Sequence, residues 1–173
     1  MDFQQETGTL ATQALFPGSF DPPTLGHMDL VERGAVLFDR IVVAVGSNPQ
    51  KSPLFTAEER VTLLMEQTSH LPNVSVVSFD GLVIHCAKEQ NCNIILRGVR
   101  SVADFEFEQQ MAMTNRSLSG IETVFIMPSE KFAWLSSRLI KEVYSYGGEA
   151  EEMLSPGVAA AVKAKFSGSG ENQ

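Results

Sequence analysis

The chain has 173 residues, 43% hydrophobic and 20% charged, with 13 Lys+Arg against 21 Asp+Glu and a formal net charge of −8. That size and apolar fraction fit one domain with its own core and leave no case for disorder or a disulfide scaffold. Apolar runs of only a few residues exclude a membrane-spanning helix, and the acidity argues against a nucleic-acid polymer as partner. Residues 13–166 are expected to form the folded unit, between flexible tails at 1–12 and 167–173. Only Cys86 and Cys92 are present, so a reducing, cytoplasmic setting is expected.

Gln13–Phe16 reads as a short strand ending at Pro17-Gly18. Residues 25–38 follow as a helix with Met28, Val31, Ala35 and Phe38 at helical spacing. The β-branched run Ile41–Val45 reads as a strand buried on both faces, followed by a polar loop over residues 46–54. Thr56-Ala57-Glu58-Glu59 is a capping box that opens a helix to about Ser69. Val74–Phe79 is a strand, Leu82–Gln90 a short helix and Ile94–Leu96 another strand. A long helix over 102–118 places Phe107, Met111, Thr114 and Leu118 along one side, and its large apolar residues Phe105, Phe107, Met111 and Met113 suit either the core or a subunit contact. Strand Val124–Met127, helix Ser136–Tyr146 and a last helix opened by Ser155-Pro156 complete the chain. Five strands alternating with helices predict an α/β, doubly wound parallel sheet with helices on both faces and a C-terminal helical segment. Ligands of such sheets bind beyond the carboxyl ends of the strands.

The segments at those ends carry anion-binding groups. After the first strand, Thr24-Leu25-Gly26-His27 opens a helix, whose N-terminus favours an anion and whose glycine admits close approach. Lys51 follows the second strand, and Arg97-Gly98-Val99-Arg100 follows the fourth, with two guanidiniums suited to phosphate. After the fifth come Ser136 and Ser137 at a helix start, with Arg138 behind them. Each alone reads as an ordinary turn, cap or solvated cation. Together, in an acidic chain, they point to a phosphorylated ligand. A P-loop is missing, which excludes a P-loop phosphotransferase; with no G-x-G-x-x-G turn after the first strand a dinucleotide-cofactor site is unsupported, and no His/Cys cluster has zinc spacing. Cys86 and Cys92 read as a core residue and a loop thiol, and His70 and His85 as helix-face residues without visible partners.

Four longer patterns add a family. Pro17-Gly-Ser-Phe-Asp-Pro-x-Thr-x-Gly-His27, Lys51 ahead of Phe55-Thr-x-Glu-Glu-Arg60, and Arg97-Gly-Val-Arg100 joined to Asp104-Phe-Glu-Phe-Glu108 occur in order, followed by Ser136-Ser-Arg-Leu-Ile-Lys-Glu-Val143. The chain closely resembles the bacterial phosphopantetheine adenylyltransferases, of the nucleotidyltransferase superfamily with a T/H-x-G-H motif. The resemblance implies a Rossmann-like fold and transfer of the adenylyl group of ATP to 4′-phosphopantetheine, with Mg2+ carried on the ATP phosphates. It also implies a homohexamer.

By the same resemblance, His27, Lys51 and Arg100 would serve catalysis, and Ser19, Lys51, Val83 and Arg97 would hold phosphopantetheine. ATP would lie against Ser19, Phe20, His27, Gly98, Val99, Arg100 and Glu108. The segment Phe132, Ala133, Trp134, Leu135, Ser136, Ser137 and Arg138 would close over it. The family often has Thr at the position of Ser19 and, in some members, Ser at that of Arg138. An adenylyl- or cytidylyltransferase for another acceptor, such as nicotinamide mononucleotide, is the nearest alternative. A non-catalytic nucleotide-binding module is the more distant one.

Overall fold

The computed structural model describes residues 11–47 and 52–168. Among these, five strands form one all-parallel sheet in the order β3-β2-β1-β4-β5. The strands are β1 (Gln13–Gly18), β2 (Arg40–Ser47), β3 (Val74–Asp80), β4 (Ile94–Gly98) and β5 (Glu122–Ile126). The helices are α1 (Leu25–Leu37), α2 (Ala57–Thr68), α3 (Val83–Glu89), α4 (Val102–Ser119), α5 (Ser137–Ser145) and α6 (Pro156–Gly168). The chain winds outward from β1 in both directions, so the strand order reverses between β1 and β4. That is the crevice where such sheets take ligands.

The period-2 alternation of the central strands splits the core into two layers. Phe16, Ile41, Val43 and Val45 pack on one face with Met28, Val31 and Leu64 from α1 and α2. Leu15, Val42, Ala44 and Ile95 pack on the other with Ile84, Cys86 and Ala87 of α3. A third cluster joins Phe55 to Ile140, Tyr144, Leu154, Val158 and Val162 and seats the C-terminal helices. The predicted capping box is formed, with the Thr56 and Glu59 side chains each bonding the other's backbone N–H.

The structure differs from the sequence-based expectations at several places. β1 runs through Pro17 and Gly18, which pair in register with Ala44 and Val45. β4 extends through Arg97 and Gly98, so the first arginine sits on the strand itself. Thr12, expected in a tail, bonds the Asp39 carboxylate through both its N–H and its hydroxyl. Ser167 and Gly168 complete α6. Cys92 lies in a loop yet is as buried as Cys86. His70 sits just past α2, within 3.8 Å of the Glu32 carboxylate.

The largest difference concerns α4. None of its residues is buried within the protomer. Phe107, Met113 and Leu118 are each more than 60% exposed. The core placement of this helix face is therefore excluded for the single chain.

Candidate active site

A cleft of about 360 Å³ opens at the carboxyl ends of β1 and β4, within the range of small-molecule sites. It is lined by the turn after β1, the start of α1, the end of β4, the start of α4 and the segment from Pro128 to Arg138. Of the sequence-predicted residues, Ser19, Phe20, His27, Arg97, Gly98, Arg100, Glu108, Phe132, Leu135, Ser136, Ser137 and Arg138 line it. Val99 is buried, and neither it nor Ala133 or Trp134 is among the lining residues. Lys51 lies outside the described residues.

His27 is the third residue of α1 and half-buried. Its Nδ1 accepts the backbone N–H of Thr24 at 3.0 Å and lies 3.0 Å from the Thr24 hydroxyl, while its own N–H bonds back to that hydroxyl. A backbone N–H can only donate, so Nδ1 carries no proton and the neutral ring presents its N–H at Nε2. Burial, then the nearby Arg100 and Arg97 guanidiniums, lower its pKa from 6.5 to about 4. At neutral pH His27 is an uncharged hydrogen-bond donor. The edge of the ring meets Phe20, with centroids 5.0 Å apart.

Phe20 takes a left-handed backbone, φ +49°, a costly state for a bulky residue. Its ring is buried against Phe16 and covers Gly18, where an added Cβ would come within 2.8 Å of it. The turn thereby buries the Phe20 ring and leaves its neighbour Ser19 exposed in the cleft.

Arg97 binds within the chain as well as facing the cleft. Its Nε donates to Glu108 Oε2 at 2.6 Å, its Nη2 to Glu108 Oε1, and its Nη1 to the Pro17 carbonyl at 2.6 Å. This fork ties the ends of β4 and β1 to α4. Arg100 donates to Asp104 at 3.1 Å and to the Leu135 carbonyl at 2.9 Å. Arg138 lines the same cleft and makes no hydrogen bond or ion pair among the described residues.

Ser136 caps α5 by accepting the Leu139 N–H, and Ser137 donates its hydroxyl to the Pro22 carbonyl. The Ser137 proton is thus committed, whereas the Ser136 hydroxyl accepts and keeps its own proton, so an anion at this helix start would meet the Ser136 O–H and the backbone N–H groups. Gly26 lets the Phe132–Leu135 segment cross the start of α1, its missing Cβ lying 3.4 Å from the Phe132 carbonyl. That segment is fastened by the Asp29 carboxylate, which accepts the N–H and hydroxyl of Ser129. Those bonds hold the Asp29 carboxyl below its usual range despite the opposing effect of burial.

Val83 belongs to a second, smaller cleft of about 110 Å³, with Phe107, Met111 and Asn115. The two clefts share Pro17, Arg97 and Glu108, so the ion pair forms the wall between them. Sequence reasoning missed Phe107, Met111 and Asn115 as site residues. They recur along one side of α4, which reads equally as a packing stripe.

Asp21 is a further missed residue. It is 5% exposed and accepts the Leu54 and Phe55 N–H groups at 2.9 Å each, and Lys141 Nζ at 2.8 Å. It thus joins the turn after β1 to the loop before α2 and to α5. Asp21→Ala leaves two N–H donors and an ammonium without their acceptor. It is expected to lower unfolding free energy by roughly 3 kcal/mol, read by urea denaturation, with Asp21→Asn losing less.

A family model described as cytidylyltransferase-like matches residues 15–143. The phosphopantetheine adenylyltransferase of Synechococcus sp. (strain WH7803) is 54% identical over 155 residues, covering 89% of this chain and 93% of that protein. Among solved structures, a protein put forward as a nicotinate-nucleotide adenylyltransferase from Vibrio parahaemolyticus superposes with a TM-score of 0.63 at 17% identity, covering 88% of this chain and 99% of that one. A lipopolysaccharide core biosynthesis protein from Thermoplasma volcanium superposes with a TM-score of 0.51 at 24% identity, covering 69% and 98%. At those identities the structural matches speak for the fold alone.

Proposed function

The chain belongs to the cytidylyltransferase-like nucleotidyltransferases and, within them, to the phosphopantetheine adenylyltransferase family, and from that membership we propose that it transfers the adenylyl group of ATP to 4′-phosphopantetheine, giving dephospho-coenzyme A and pyrophosphate. The observation that carries the acceptor is the pair of clefts meeting at Arg97 and Glu108. The larger, cationic one suits a nucleotide triphosphate. The smaller one, with Val83, Phe107 and Met111, suits the extended arm of a phosphorylated thiol whose phosphate reaches the shared wall.

The chemistry matches the residue types. A phosphate nucleophile is already anionic, so no base is required, and His27 stays neutral near pH 7. The reaction needs two anions brought in line and charge stabilised on the α-phosphate and the leaving pyrophosphate. His27 Nε2–H, Arg100, Arg138 and the start of α5 would supply that stabilisation. Ser19, Arg97 and Lys51 would hold the acceptor phosphate, and attack would proceed without a covalent enzyme intermediate. Gly98 and Glu108 line the nucleotide side, and Phe132 and Leu135 cover it.

Mg2+ would arrive on the ATP phosphates. Among the described residues no group of three or more His, Cys, Asp or Glu is placed to hold a metal, and Asp104 and Glu108 are engaged by arginines. Catalysis in the cytoplasm is part of this reading, and no helix among the described residues is long and apolar enough to cross a membrane. A homohexamer would cover the exposed apolar side of α4, and light scattering is expected to return six times 18.9 kDa.

Pyrophosphate release with ATP, magnesium and a panel of acceptors tests the function. Release with 4′-phosphopantetheine is expected. Release with nicotinamide mononucleotide alone would move the chain to the neighbouring activity, and nucleotide binding without release would make it a non-catalytic module.

A further inference from the structure

Arg60 stands on α2, away from the cleft lining, yet its side chain belongs to the same end of the sheet. It is 4% exposed. Its Nη1 donates to the carbonyls of Ser19 at 2.6 Å and Gly46 at 3.0 Å, and its Nε to those of Phe55 and Thr56 at 3.1 Å each. Among the described residues no carboxylate forms an ion pair with it.

Two features of this placement are unfavourable for stability. A buried charge without a counter-ion carries a desolvation cost that hydrogen bonds to neutral carbonyls offset only in part. A cation near the start of a helix also opposes the helix dipole. An apolar side chain would avoid both costs but would leave the Ser19 and Gly46 carbonyls without this donor. The bonds it makes therefore point to another role. Ser19 directly follows β1, and Gly46 is near the end of β2, at the edge where anions would bind. Carbonyl oxygens there carry partial negative charge that repels phosphate. A guanidinium bonded to both removes them from that field and fixes the turn that presents Ser19.

We propose that Arg60 is a positioning residue for adenylyl transfer, acting through Ser19: it fixes the Ser19 carbonyl, and with it the side chain that meets the acceptor phosphate. The inference rests on the adenylyltransferase reading above. It is tested by a double-mutant cycle of Arg60→Gln and Ser19→Ala in the full chain. Each single change is expected to lower kcat about tenfold or more, and the double variant to fall no further than the worse single one. Arg60→Lys keeps the charge but not the fork, and is expected to recover only part of the rate.

Losses that multiply, or wild-type kcat in Arg60→Gln, would overturn the proposal, since a merely structural clasp has no reason to spare the Ser19 variant. If Arg60→Gln does not fold, Arg60→Lys carries the same cycle. If the wild-type protein releases no pyrophosphate with 4′-phosphopantetheine, the functional reading fails instead. ATP affinities of the four proteins by calorimetry then still report the coupling, with non-additive changes expected and additive ones overturning it.

Discussion

His27→Ala is expected to cut turnover by a factor of about 100 or more while the protein stays folded. The imidazole is held at Nδ1 by the Thr24 N–H, which leaves one N–H, at Nε2, to meet developing charge on a transferred phosphate. Alanine removes that donor and cannot be replaced by an equally oriented water. The helix cap survives, because the Thr24 hydroxyl still accepts the backbone N–H of residue 27. Circular dichroism should be unchanged and steady-state kcat should fall. Normal turnover in folded His27→Ala would remove His27 from the chemistry.

The same residue gives a pH signature. The folded protein keeps His27 neutral down to about pH 4, whereas the unfolded chain takes up the proton near 6.5. Between those values the unfolded state binds more protons, so stability rises with pH there. The contribution is fully present above about pH 6.5 and is lost as pH falls toward 4. The stability gap between wild type and His27→Ala should therefore narrow from about pH 7 to about pH 5. Denaturant midpoints at the two pH values measure it, and a constant gap would contradict the neutral ring.

Arg97→Lys is the second large effect, expected at about 100-fold in kcat/KM and mainly in KM for the acceptor. One planar fork bonds both Glu108 oxygens and the Pro17 carbonyl. A lysine ammonium is a point charge on a flexible stem and cannot serve all three. The wall shared by the two clefts should loosen, although charge is conserved. Kinetics at saturating ATP with varied acceptor check this. An unchanged acceptor KM would mean that the fork is structural and makes no demand on the substrate.

The architecture was legible because the patterns that carry it are local. Ile41–Val45 announces a strand covered on both faces, and Thr56 with Glu59 announces a helix start. The placement of anion-binding groups at strand ends followed from the alternation of strands and helices. What each arginine does was not legible. Arg97 and Arg100 both read as phosphate grips, yet each already holds a carboxylate and a carbonyl, because α4 folds back beside β4 and brings Glu108 and Asp104 to them. Arg60 stood in the sequence only as the end of the pattern Phe55-Thr-x-Glu-Glu-Arg60, and nothing in that spacing shows that its side chain is buried against the Ser19 and Gly46 carbonyls. The apolar side of α4 was ambiguous because spacing specifies a face and not what covers it. Phe20 gave no signal of its left-handed backbone, which depends on the ring packing over Gly18.

In the proposed reaction, the cleft between β1 and β4 passes the α-phosphoryl group of ATP, with its adenosine, to the phosphate of 4′-phosphopantetheine. Incubation of the full chain and acceptor with ATP radiolabelled on either the α- or the γ-phosphate tests it most directly. The expected result is α-label in dephospho-coenzyme A and γ-label in pyrophosphate. Recovery of γ-label on the acceptor, or of α-label only in free AMP, would contradict it.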